Sequence, residues 1–249
     1  MRNVTWARIK WSSNIFGTIM DVRLAMFIAS LLSLIPSYGL LTMGTWWYER
    51  KLDEKDLNIT FIIGIFIGVI VVVAHLFFAM WYGLGALAIP AAFLLALMEV
   101  LIYRVYLNRT KLKGRSDQPF IAFSLALGIS GAYLLFITGQ YLVNAEIELA
   151  SLLGLLLFAI GVPLARSSVA LFFSADRAAG KGLIASLVKP VLILTLFNLL
   201  MMSYMVMDFL ITFSLAGAIV GIVGFYSAFK VLSRVPDMEK DDGSDDAGP

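Results

Sequence analysis

The sequence predicts an all-α, polytopic integral membrane protein: a helical bundle of about seven transmembrane helices. Three observations point there. Of the 249 residues, 60% belong to the apolar and aromatic set AVILMFWYC, and the mean hydropathy is +0.89. Only 14% are charged, against about a quarter in ordinary soluble domains. The apolar residues also fall into separate runs, each near the roughly 20 residues needed to cross a bilayer. The runs are continuously apolar, without the two-residue alternation of a membrane barrel, so each must satisfy its backbone as a helix.

Residues 1–23 precede the first run. They interleave Arg2, Arg8, Lys10 and Arg23 with Trp6, Ile9, Ile15, Phe16 and Ile19. That mixture suits an amphipathic helix lying among lipid headgroups. The bundle itself covers 24–231. Its spans are expected at 24–43, 59–80, 84–103, 120–143, 149–165, 187–206 and 209–231. Trp46, Trp47 and Tyr48 follow the first span as interfacial anchors. Only Trp81-Tyr82-Gly83 joins the second to the third, and only Met207-Asp208 joins the last two, so both pairs read as tight hairpins. Gly83, Gly85 and Pro90 leave open an alternative in which 84–103 is re-entrant and only six helices cross. Residues 232–249 carry Asp237, Glu239, Asp241, Asp242, Asp245 and Asp246 among Gly and Pro. They read as an acidic, disordered cytoplasmic tail.

Loop charge gives an orientation. With seven spans, Lys and Arg concentrate in 44–58, 104–119, 166–186 and beside the C-terminus, while 81–83, 144–148 and 207–208 hold none. The positive-inside rule then places 104–119, 166–186 and the C-terminus in the cytoplasm of a multi-pass cell-membrane protein. In the six-span alternative, 44–58 faces the other side.

Several chemistries are excluded. With no Cys and one His, there can be no thiol redox centre, Fe–S cluster or multi-His metal site within the chain. No cofactor or metal is expected. The net charge of +2 lacks the clustered basic face that nucleic acid requires. Ser174 to Gly182 faintly resembles a phosphate loop, but Ala175 replaces its first Gly and Gly182 its final Ser/Thr. No paired carboxylates point to lipid-processing chemistry.

Ionisable groups inside spans cost on the order of 2.5–3.5 kcal/mol each, so each invites a reason. The candidate polar site comprises Glu99, Lys189, Asn198 and His75. Glu99 and Lys189 fall at similar depth, which permits an ion pair, and Lys189-Pro190 near Asn198 is the most polar stretch of any span. His75 falls toward the opposite face, away from Glu99. Gly64, Gly68, Gly217 and Gly221, spaced four apart, are expected to let helices pack closely. These features favour a small transport or permease component for a solute or ion. The alternatives are a non-catalytic subunit of a membrane complex and, more weakly, a lipid-processing enzyme. The expected partners are the lipid bilayer, and either other membrane subunits or a soluble cytoplasmic protein at loops 104–119 and 166–186.

Overall fold

The computed structural model describes residues 22–46, 52–82, 85–109, 112, 115, 117–144, 149–207 and 210–232. Apart from Val22, Arg23 and Leu232, the N-terminal amphipathic segment and the acidic tail lie outside them, as do Trp47, Tyr48 and Asp208. The described residues form helices and no strands: α1 (Val22–Trp46), α2 (Glu54–Tyr82), α3 (Ala88–Leu107), α4 (Gln118–Asn144), α5 (Leu149–Ala178), α6 (Leu183–Met207) and α7 (Leu210–Leu232). The first six are long and apolar enough to cross a membrane, and α7 adds the shorter apolar stretch Leu215–Lys230.

Burial separates the helices into a core and a shell. Within their most apolar windows, α4 is 89% and α5 83% buried, against 28% for α1 and α2. The outer helices turn large apolar side chains outward, including Phe66, Ile70 and Ile184, each about 70% exposed or more. In water such a surface would aggregate; against acyl chains it is at home. The interior carries small and hydroxylated residues. Ser37, Ser130 and Ser174 donate to carbonyls four residues earlier in their own helices. Their polarity is thereby satisfied without breaking the apolar packing.

Glycines set the closest approaches. Gly64 and Gly68 of α2 face the α4 backbone around Gly128, Ile129 and Ala132. A Cβ on Gly68 would lie 2.6 Å from the Ile129 carbonyl oxygen. On α5 and α7, a Cβ on Gly161 would lie 2.8 Å from the Ala218 nitrogen, and one on Gly221 2.7 Å from the Gly161 carbonyl oxygen. Gly217 differs: its nearest neighbour would be a Phe197 ring carbon at an ordinary 3.8 Å.

One end of the bundle is tied by charge. Arg115, between α3 and α4, donates to both carboxylate oxygens of Asp117 and, at 2.5 Å, to Asp56 near the start of α2. Donating to Asp117 and then to Asp56 pushes the guanidinium pKa above its ordinary value. The α2 start and the α3–α4 connection therefore share one end. That shared end conflicts with the six-span alternative in one respect, its placing of 44–58 and 104–119 on opposite sides. α3 is a continuous 20-residue helix that returns to that end, with Pro90 in its first turn, where no internal N–H is required. The triad is partly exposed, so Arg115→Ala should cost only about 0.2–1 kcal/mol. Thermal unfolding in detergent would check that.

The fifth span differs most from its expected bounds. α5 does not stop at residue 165 but continues to Ala178, and residues 161–176 are buried throughout. Its end is a Schellman cap: Gly180 has φ +72°, its N–H donates to Arg177, and the Lys181 N–H donates to Asp176. Ser174 to Gly182 is thus a helix end with its cap. The connection to α6 shrinks from 166–186 to 179–182, leaving far less loop for a soluble partner.

Candidate functional site: a buried ion pair among aromatic rings

Arg166 points into the bundle from α5 and has no exposed surface. Its Nη2 lies 3.5 Å from Oε2 of Glu99 on α3, itself 2% exposed. The other oxygen of Glu99 accepts a 3.0 Å hydrogen bond from the Tyr103 hydroxyl, one turn along α3. Above the guanidinium sits Tyr133 of α4, its ring centroid 4.2 Å from Cζ. Tyr133 also meets the His75 ring of α2 edge-on, with centroids 5.5 Å apart. Four helices thus converge on one polar cluster.

Depth along the helices is informative. At 1.5 Å per residue, Tyr103 lies about 6 Å and Glu99 about 12 Å from the end of α3. Arg166 lies about 18 Å from the end of α5, Tyr133 about 22 Å into α4 and His75 about 32 Å into α2. These distances are measured from helix ends on the side tied by Arg115. Buried polar groups therefore follow one another from that side to well past mid-bundle.

The cluster is charged but poorly hydrogen-bonded. Nε, Nη1 and Nη2 of Arg166, the Tyr133 hydroxyl and Nε2 of His75 are buried with no hydrogen-bond partner. The ion pair brings the charges together at 3.5 Å, but no guanidinium N–H is satisfied by it. A guanidinium carries five N–H donors in a planar fork. Burying them without acceptors is expensive, so the arrangement has strong capacity for an oxygen-bearing partner.

The sequence-derived candidates separate. Glu99 is in the cluster, but its partner is Arg166 and not Lys189, which is exposed on α6. Lys189 has the long aliphatic stem that lets an ammonium leave an apolar surface. The Glu99–Lys189 ion pair that similar depth permits does not form. Glu99 also lies deeper than a span ending at residue 103 implies, because α3 continues to Leu107. His75, expected to be remote from Glu99, is linked to it through Tyr133 and Arg166. Asn198 is buried elsewhere, its side-chain N–H₂ 3.4 Å from the Ala92 carbonyl and its Oδ1 without a partner.

The sequence alone does not single out Arg166 or Tyr133. In the sequence Arg166 reads as the start of a loop because it ends an apolar run. The signal lay on its far side: Val169 to Phe173 is apolar again, so the helix resumes beyond a single charge. Tyr103 lies four residues beyond Glu99, the spacing that places both on one helix face. No protein-family model, curated protein or solved structure matches this chain, so its functional reading rests on the geometry of this cluster.

Proposed function

We propose that the protein is a transport component that moves a small solute or ion, with the Arg166–Glu99 cluster as the site that handles it. The observation that carries this reading is the ion pair itself, buried deep among helices apolar enough to span a membrane. Charges there are costly and face bundle interiors or solute paths. An ion pair kept only for stability is a poor explanation, because apolar residues of similar volume hold a core as well or better. The ordered depths of Tyr103, Glu99, Arg166, Tyr133 and His75 suit passage along the bundle axis.

Flux into proteoliposomes tests the proposal, using pyruvate, nitrate, chloride, glycine and glucose as separate probes. At least one probe should cross faster than in protein-free vesicles. The rate should fall to background in a Glu99→Gln, Arg166→Met double variant, which removes both charges together and so preserves neutrality. If no probe crosses, or the double variant matches wild type, the transport reading fails. A stoichiometric membrane partner on gentle purification, together with absent flux, would favour the subunit reading instead.

A further inference from the structure

We propose that Arg166 binds a small planar monoanion of the carboxylate or nitrate type, and that Glu99 takes up a proton when the anion arrives. This rests on the transport reading and names its substrate class.

Geometry supplies the ligand class. Tyr133 covers one face of the guanidinium at 4.2 Å, whereas Nε, Nη1 and Nη2 are fully buried without acceptors. An approaching ligand is best received by the edge of the plane, where N–H groups point in parallel. Two coplanar oxygens on one centre match that fork, and arginine binds such groups in a bidentate manner. The Tyr133 hydroxyl and His75 Nε2, also buried and unpartnered, are further polar groups in the same cluster. Their presence beside the guanidinium makes the cluster a built site and not one stray charge.

Charge supplies the proton. Arg166 and Glu99 together are neutral. A monoanion on Arg166 would leave one net negative charge in a medium where charge is poorly screened. Protonating Glu99 restores neutrality, and Tyr103 can turn its hydroxyl to suit the acid. The groups facing Glu99 are Tyr103 on its own helix, Arg166 from α5 and Tyr133 from α4, with His75 of α2 beyond Tyr133. On α6, Asn198 is buried but uncharged, and Lys189 is exposed. Among the described residues, Glu99 is the carboxylate placed to take the proton. A dianion would need a second neutralising group, and His75, the other member of the cluster able to take a proton, lies beyond Tyr133 and not against Arg166.

Thermal stabilisation of the full chain in detergent tests this, with pyruvate, nitrate and sulfate each titrated at pH 5.5 and pH 8. Pyruvate and nitrate should raise the melting temperature, and sulfate should do so less. Apparent affinity should strengthen as pH falls, by up to about tenfold per pH unit, the limit for one linked proton. In Glu99→Gln, whose amide imitates the protonated acid, the pH dependence should vanish and stabilisation by pyruvate should be largest. Arg166→Lys keeps the charge without the fork and should bind about tenfold more weakly. No stabilisation of wild type by either planar anion overturns the inference. So does equal stabilisation by sulfate, or a pH dependence that survives in Glu99→Gln. If glycine or glucose alone crosses the vesicle membrane while no anion binds, the inference fails and the transport reading stands. If anions bind but nothing crosses, the site stands and the transport reading fails.

Discussion

Replacing Glu99 with Gln should destabilise the protein by about 3–5 kcal/mol, the usual consequence of removing one member of a buried ion pair. The loss is not the strength of the Glu99–Arg166 contact, which at 3.5 Å is loose. It is the cost of leaving a guanidinium uncompensated where Arg166 has no exposed surface. Two controls separate these effects. The Glu99→Gln, Arg166→Met double variant should recover most of the loss, because no charge remains to be neutralised. Lys189→Met should stay within about 0.5 kcal/mol of wild type, as surface changes commonly do. Unfolding in mixed detergent micelles, followed by circular dichroism without added anions, reads all three. A double variant as unstable as the single one would show that charge balance is not what the pair provides.

The second large effect should come from Gly128→Ala on α4. A Cβ at that position meets the Phe61 carbonyl oxygen and lies 2.9 Å from the Gly64 Cα. Both obstacles are backbone, so no rotamer change relieves the clash and α2 must move away from α4. Overpacking costs about 1–3 kcal/mol, and this rigid contact belongs at the upper end. Gly217→Ala, with only a ring carbon at 3.8 Å, should change stability by less than about 0.5 kcal/mol. Equal losses at the two positions would mean that close helix approach is not what Gly128 provides.

Class and helix count were legible because they depend on run length and composition, which one dimension records completely. Where charge interrupts a run, one dimension misleads. Arg166 looks like the cytoplasmic edge of a span until Glu99, distant in sequence, is seen to neutralise it. The misplaced Lys189 pairing has the same origin. Depth alone cannot tell which face of a helix a side chain occupies, and Lys189 faces outward from α6. His75 was readable as an intramembrane group. Its link to the cluster required knowing that Tyr133 lies between, and a tyrosine in an apolar run carries no mark of that.

The Glu99–Arg166 contact also constrains how the chain is assembled. Glu99 belongs to α3 and Arg166 to α5, and all of α4 is made between them. During synthesis, the acidic side chain enters the membrane before its basic partner exists. Until α5 emerges, α3 lacks the guanidinium that meets Glu99 in the finished bundle. A chain halted after α4 should hold α3 less firmly in the bilayer than the finished protein does. The order of synthesis thereby makes α5, the other helix of the buried core, the step that locks the earlier half in place.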